Sequence, residues 1–362
     1  MLNIKCNLSE AYAANIATFI KREFPVLVQK SDSALLDLLT DAIVGTGQVR
    51  FGSKPSPEAL VAMREVITYW TNLDAPIPFL IGWGSEKPDG SGVDIAELFA
   101  LKTLNCLNER VKQFYPKGVR FNVRVEDASA PHLFFERQEA ARKEAALYTQ
   151  GFVNLAKVIG VDSFVNVLPE SSMILEDVFN TEADMILPDM ERHVNDVNDE
   201  VARFRLNKLG WKVPLSDATI GYFTERYAKL YPELTKTQQM HLLARYFAGA
   251  LARHSLGITG IDKAWNGKFM ELSFVQPTPG IGTHRALRRL YYRTMPCSIT
   301  SNHVPAWRAK GYLEIKNGDE VHASVKSFNC LEGMKLNKNV ITLTDGTISQ
   351  DVQADYLVTD CD

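Results

Sequence analysis

From residue 77 onward, short apolar segments alternate with long amphipathic ones, and this alternation constrains the fold more than any other feature of the sequence. IPFLIG (77–82) is typical of a buried strand, the stretch 93–115 of a helix, and GVRFNVRVED (118–127) of a second strand. A helix at about 136–159 and a strand at 162–169 continue the series. Strands that alternate with helices form parallel βαβ units. We therefore predict an α/β, Rossmann-like fold with a mainly parallel sheet flanked by helices.

The remaining segments predict three parts of the chain. Helical patterns at 8–24, 31–43 and 57–72 form an N-terminal helical segment, residues 1–74. Residues 75–310 form the Rossmann-like core, with a helical insertion at about 170–253, strands at 270–276 and 297–301, and a short helix at about 283–293 between them. Residues 311–362 contain four β-type segments and the turns NGD (317–319) and DGT (345–347), which suit hairpins. They predict a C-terminal antiparallel β extension.

Composition narrows the class of protein. The chain has 362 residues, 46% of them hydrophobic, and a formal net charge of −3, which gives no overall reason to expect binding to nucleic acid or an anionic membrane. Its five cysteines are scattered and form no CxxC pair, which argues against a disulfide framework or a structural zinc site. No apolar run could cross a bilayer, and the N-terminus lacks a secretory h-region. We expect a cytoplasmic protein without a membrane partner, and the sequence leaves the oligomeric state open.

Ligands of parallel sheets bind outside the carboxyl ends of the strands, so the loop 82–97, GWGSEKPDGSGVDIAE, is the first place to look for a site. It fits neither the P-loop nor the GxGxxG template, and the chain has no HExxH or GxSxG motif, so we predict no cofactor and no metal. Lys87 offers a cation at the end of a strand. Asp94, at the helix start, is expected to face a ligand. Ser91 could cap the helix, and Glu97 suits helix capping as well as function.

Two further loops supply candidate acid–base groups. The strand at 118–127 ends with Asp127, which could act as a general base or hold a substrate amine. His303 follows the predicted strand at 297–301 and is the histidine best placed for proton transfer. A turn-forming Asp and a solvated loop histidine are the alternatives.

The segment PTPGIGTHR (277–285) precedes the predicted helix at 283–293 and is the best candidate for an anion site. Free backbone N–H groups, the positive end of a helix and clustered arginines together favour phosphate or carboxylate. The residues concerned are Gly282, Thr283, Arg285, Arg288 and Arg289. An ordinary turn before a basic surface helix is the alternative.

The ordered set of these features resembles the isocyanide (isonitrile) synthase family over roughly residues 75–310. In that family a lysine loop after a strand precedes an Asp-x-x-Glu that opens a long helix, and FLIGWGSEKPDGSGVDIAELFALKTLNCL is similar, with Lys87, Asp94 and Glu97 at the matching places. FYPKGVRFNVRVEDA resembles the next segment, with Asp127 in the Asp position. The following helix carries Tyr148. LRRLYYRTMPCSITSNH looks related to the family's later Leu-Arg and Ser-Ile-His features, with Arg288, Ser298 and His303 as candidates.

The resemblance implies a Rossmann-like enzyme of secondary metabolism that converts the α-amine of an amino acid to an isocyanide, with ribulose 5-phosphate as carbon donor. It implies a sugar-phosphate site at 282–289, with Tyr148 and Ser298 also on the substrates. Asp94 or Asp127 would lie near the amine, and Lys87 and His303 would transfer protons or stabilise an oxyanion. The expected partners are thus an amino acid and a sugar phosphate.

Two other functions remain open from the sequence. The stretch Leu272–Leu313 contains no Asp or Glu but six Arg or Lys residues, so an enzyme that modifies a nucleotide or nucleic acid through a basic surface is one alternative. A non-catalytic binding protein on the same fold is the other.

Overall fold

The computed structural model describes residues 3–6, 34–45, 55–84, 87, 92–127, 138–169, 172, 176–209, 220, 224, 228, 232–264, 267–273, 289–291, 306, 309–316, 320–327, 331 and 333–359. Its strands are β1 Asn3–Cys6, β2 Ile77–Trp83, β3 Val119–Val125, β4 Val165–Pro169, β5 Met270–Ser273, β6 Arg289–Tyr291, β7 Ala309–Lys316, β8 Glu320–Ser327, β9 Val340–Asp345, β10 Ile348–Gln353 and β11 Tyr356–Thr359. Its helices are α1 Leu35–Val44, α2 Pro57–Asn72, α3 Ile95–Lys112, α4 Gln138–Val158, α5 Glu176–Asn195, α6 Glu200–Lys208 and α7 Lys236–Ala264.

A five-stranded sheet in the order β4-β3-β2-β5-β6 forms the centre of the fold, and all of its pairs are parallel. This confirms the predicted α/β class. The chain fills the sheet from β2 to β3 to β4 and then returns to β5 on the other side of β2. The topological switch point, where ligands of such sheets bind, therefore lies between β2 and β5.

One face of the sheet is continuously apolar and packs under helices. Trp83 at the end of β2 lies against Phe152 of α4, with 4.6 Å between ring centroids, and Phe79 lies 5.4 Å from Phe121 of β3. Helix α3 is buried almost all round along its first half, from Ile95 to Leu101. Such an apolar helix suits a place between two layers, and α3 contacts both β3 and β7.

The prediction of a helix at 283–293 is wrong for Arg289–Tyr291, which form strand β6. These residues pair with Glu271–Ser273 of β5, and the side chain of Leu290 is buried. Backbone hydrogen bonds to the exposed edge of β5 therefore outweigh the local helix propensity of this segment. The helical pattern at 8–24 and the strand predicted at 297–301 lie outside the described residues.

The predicted C-terminal β extension is confirmed, with two additions. β7 and β8 pair antiparallel, and β9 and β10 form a hairpin around Gly346, whose φ of 58° suits glycine at the predicted DGT turn. β11 joins β7 in parallel, and β1 from the start of the chain joins β9. Leu313 and Leu343 belong to the same hydrophobic core as Phe79, and β7 crosses the predicted 310/311 boundary, so the division into segments stays a prediction.

Helices α5, α6 and α7 build a second core in the predicted helical insertion. Its buried members include Phe179, Met190, Leu206 and Leu243. Helix α7 continues to Ala264, beyond the predicted end of the insertion at about 253. Among the described residues, no helix combines the length and apolarity needed to span a membrane.

Candidate functional site

Helix α3 starts with a complete capping box. Oδ1 of Asp94 accepts a hydrogen bond from the backbone N–H of Ala96 at 2.6 Å, and the N–H of Asp94 donates to Oε2 of Glu97 at 2.8 Å. The N-cap is therefore Asp94 and not Ser91. The backbone of Asp94 is extended, with φ −130° and ψ −167°, and forms a β-bridge with Gln353 of β10, so the helix begins only after it.

Lys87 lies directly against this helix start. Its Nζ is 2.7 Å from Oδ2 of Asp94 and 2.9 Å from Oε2 of Glu97, and it donates to the carbonyl oxygen of Ala309 at 2.8 Å. All three charged side chains are completely buried. An ammonium group has three donors, and here each has an acceptor.

Tyr148 of α4 and Trp83 of β2 extend the network. The Tyr148 hydroxyl donates to Oε1 of Glu97 at 2.8 Å and accepts from Nε1 of Trp83 at 3.0 Å. We call Trp83, Lys87, Asp94, Glu97 and Tyr148 the Lys87 cluster. It joins the end of β2, the start of α3 and the middle of α4 under the apolar face of the sheet.

Strand β7 closes the cluster from the C-terminal side. The backbone N–H of Gly311 donates to Oδ2 of Asp94 at 3.1 Å, two residues after the carbonyl of Ala309 that binds Lys87. A Cβ atom on Gly311 would lie 2.3 Å from the nitrogen of Ala96, so only glycine lets the strand approach this closely. The C-terminal extension is thus part of the site.

Burial and charge shift the pKa values within the cluster. Burial by itself lowers the pKa of Lys87, but the carboxylates of Asp94 and Glu97 outweigh it and the pKa is raised. Burial raises the pKa of Glu97 to about 8, with the negative charge of Asp94 adding to the rise against the opposing effect of Lys87. Burial and then the charge of Glu97 hold the pKa of Tyr148 well above its usual range. The pKa of Glu97 is thus moved toward the range near neutral pH.

Glu97→Gln should change how stability depends on pH. A carboxyl group that titrates at 4.5 in the unfolded chain and at about 8 in the folded protein costs stability as pH rises through that window, because the unfolded chain releases its proton first. The stability of the wild type relative to Glu97→Gln should fall by up to about 1.4 kcal/mol per pH unit between these values. Urea unfolding of both proteins across this pH range measures it. If the free energies of unfolding of the two proteins changed in parallel with pH, the pKa of Glu97 would not be raised in the folded protein.

The structure brings three of the predicted site residues together and places others apart. Lys87, Asp94 and Tyr148 lie in the cluster. Asp127 is half-buried just past the carboxyl end of β3, and Arg289 lies in β6 opposite Glu271. Gly282, Thr283, Arg285, Arg288, Ser298 and His303 lie outside the described residues. The roles assigned to all of these residues stay predictions.

Trp83 and Gly311 are members or neighbours of the cluster that sequence reasoning did not single out. Trp83 lies one residue beyond the predicted strand 77–82. Gly311 contacts Asp94 across 217 positions of the chain, and no local pattern predicts such a contact. For Glu97, the Asp-x-x-Glu spacing of a capping box was the available signal.

One cation of the basic stretch 272–313, Lys310, is buried. Lys310 is 3% exposed, and its Nζ lies 3.3 Å from Oδ2 of Asp355, which also binds Lys338. This removes one cation from the proposed nucleic-acid surface. Within the described residues, no group of three or more His, Cys, Asp and Glu side chains is arranged to hold a metal ion.

Comparison with known proteins gives a match by structure and not by sequence. No protein-family profile and no curated protein sequence matches this chain. A tyrosyl-tRNA synthetase from Archaeoglobus fulgidus, solved with L-tyrosine, has a TM-score of 0.29 at 13% identity and covers 63% of this chain and 62% of its own. A Mycobacterium tuberculosis protein, whose structure relates cyclodipeptide synthetases to type I tRNA synthetases, has a TM-score of 0.30 at 12% identity. The match covers 67% of this chain and 94% of that protein. Both TM-scores are too low to carry a structural argument.

The crystal structure of PvcA from Pseudomonas aeruginosa agrees over nearly the whole chain. It superposes with a TM-score of 0.52 at 14% identity and covers 90% of this chain and 100% of PvcA. The chain has the fold of PvcA.

Proposed function

We propose that this protein is an enzyme related to the isocyanide synthases. It converts the α-amine of an amino acid to an isocyanide, with ribulose 5-phosphate as carbon donor. One observation carries the proposal. Four residues that link the sequence to that family, Lys87, Asp94, Glu97 and Tyr148, come from separate elements and meet in one hydrogen-bonded cluster. The chain also shares the fold of PvcA over 90% of its length.

The chemistry of the cluster suits the proposal. Making an isocyanide from an amine requires proton transfers during imine formation and during cleavage of carbon–carbon bonds. Glu97, with its pKa raised to about 8, can gain and lose a proton near neutral pH, and Tyr148 and Lys87 are hydrogen-bonded to it. The cluster lies beside the carboxyl end of β2, next to the switch point where parallel sheets bind their ligands.

A product screen tests the proposal. The purified protein is incubated with ribulose 5-phosphate and each of the proteinogenic amino acids in turn, and isocyanides are sought by mass spectrometry. We expect an isocyanide from one amino acid or a few related ones, and none when ribulose 5-phosphate is omitted. Failure to form any isocyanide, together with failure to bind ribulose 5-phosphate in calorimetry, would contradict the proposal.

A further inference from the structure

The face of the central sheet opposite the Lys87 cluster carries polar side chains. Asn122 and Arg124 alternate along β3 with buried apolar residues, so they point to the other face. Asn166 of β4 lies beside Asn122, and Glu271 of β5 lies one strand beyond Leu80 in the same row. Burying guanidinium, carboxylate and amide groups costs free energy that the apolar face does not incur. A polar face on a buried sheet is therefore typical of a site.

An opening lies on this polar face. Gly82 is the next-to-last residue of β2, one position beyond the residues that pair with β5, and it is exposed although Arg124 beside it is buried. Its exposure shows that this end of the strand is not fully covered. Gly82 pairs with Arg124, and a Cβ atom on Gly82 would lie 3.6 Å from Oε1 of Glu126. Gly82 is thus the floor of an opening bordered by Arg124 and Glu126, close to the switch point.

We propose that this opening binds a small zwitterion, with Arg124 holding its anionic group and Glu126 its cationic group. A guanidinium group matches the geometry of a carboxylate, and a carboxylate binds an ammonium group through a charge-assisted hydrogen bond. An α-amino acid carries both groups on one carbon. The inference rests on the proposed function, in which an amino acid is a substrate, and it identifies the side chains that bind it.

The Lys87 cluster is less suited to hold this ligand. The donors of Lys87 are used within the protein, and the carboxylates of Asp94 and Glu97 are completely buried. On the polar face, Asn166 donates to Asn122 at 3.2 Å, so these two amides bind each other. Arg124 and Glu126 border the exposed floor.

Binding experiments with ligand analogues test the assignment. Calorimetry measures the affinity of the wild type for each proteinogenic L-amino acid, without ribulose 5-phosphate. The tightest binder is then compared with its decarboxylated amine and its deaminated acid.

Arg124→Gln and Glu126→Gln remove one charge each, and Gly82→Val fills the floor. Gly82→Ala adds a single methyl group at an ordinary contact distance and keeps a folded variant in the set. Gly92→Ala, at an exposed glycine with nothing within 4 Å of the added carbon, is the matched control.

In the wild type, loss of either ligand charge should weaken binding about 10- to 100-fold. Glu126→Gln should bind the amino acid only as tightly as the wild type binds the deaminated acid. Arg124→Gln should bind it only as tightly as the wild type binds the decarboxylated amine. Gly82→Val should abolish binding, Gly82→Ala should weaken it, and Gly92→Ala should leave it unchanged. No binding of any amino acid, or equal affinities across these variants, would overturn the assignment.

The outcomes separate this inference from the proposed function. Amino-acid binding that depends on Arg124 and Glu126 in a protein that forms no isocyanide would support the site and contradict the reaction. Isocyanide formation with amino-acid affinities unaffected by the four substitutions at Arg124, Glu126 and Gly82 would support the reaction and overturn the site.

Discussion

Replacing Lys87 with methionine should lower the free energy of unfolding by about 3–5 kcal/mol, because it leaves two carboxyl groups buried without their cation. Asp94 and Glu97 both lose an ion pair of less than 3 Å, and the carbonyl of Ala309 loses its donor. Because the ammonium of Lys87 opposes the rise in the pKa of Glu97, its loss leaves Glu97 protonated and Asp94 buried without its cation. Urea unfolding monitored by circular dichroism measures the loss.

Two further variants show whether the loss comes from buried charge. Lys87→Met/Glu97→Gln should be less destabilised than Lys87→Met alone, because a neutral amide replaces a buried carboxyl group that has lost its cation. Lys143→Met removes an exposed lysine that pairs with Glu139 at 3.1 Å, and it should cost less than about 1 kcal/mol. If Lys87→Met costs no more than Lys143→Met, the cluster does not stabilise the fold.

Replacing Gly311 with alanine should have the second large effect. The added Cβ would lie 2.3 Å from the nitrogen of Ala96 and 2.9 Å from Oδ1 of Asp94, which real contacts do not allow. Strand β7 would have to move away from the helix start, and the hydrogen bond from Gly311 to Asp94 would be lost with it. We expect a loss of about 3 kcal/mol or more in urea unfolding, since overpacking and a broken buried hydrogen bond add.

Gly92→Ala again serves as control, because the added carbon at Gly92 has nothing within 4 Å. Its stability should stay within about 0.5 kcal/mol of the wild type. A Gly311→Ala variant as stable as Gly92→Ala would mean that β7 does not rest on the start of α3.

The architecture was largely predictable because its signals are local. The alternation of buried strands and amphipathic helices from residue 77 to 169 depends on side-chain periodicity, and it gave the parallel sheet and both flanking helices α3 and α4. The segment Arg289–Tyr291 was misread because it depends on a neighbour. Its strand conformation comes from pairing with β5, which local propensity does not report.

The candidate site was predictable only in part for the same reason. Lys87 and Asp94 stood out by their place after a strand and before a helix, and Tyr148 came from the family resemblance. Gly311 closes the cluster through a tertiary contact with Asp94, far away in the sequence. The polar face around Arg124 could be seen only once the strand register was known, because the sequence does not show which residues lie beside Gly82.

Transfer of a single carbon atom from sugar phosphate to amine tests the central claim most directly. The protein is incubated with uniformly ¹³C-labelled ribulose 5-phosphate and the amino acid found in the screen, and the product is analysed by mass spectrometry. We expect the wild type to form an isocyanide with one labelled carbon. Formation of this product should be lost or strongly reduced in Glu97→Gln. An isocyanide without label, or no isocyanide from a protein that binds both substrates, would contradict the central claim.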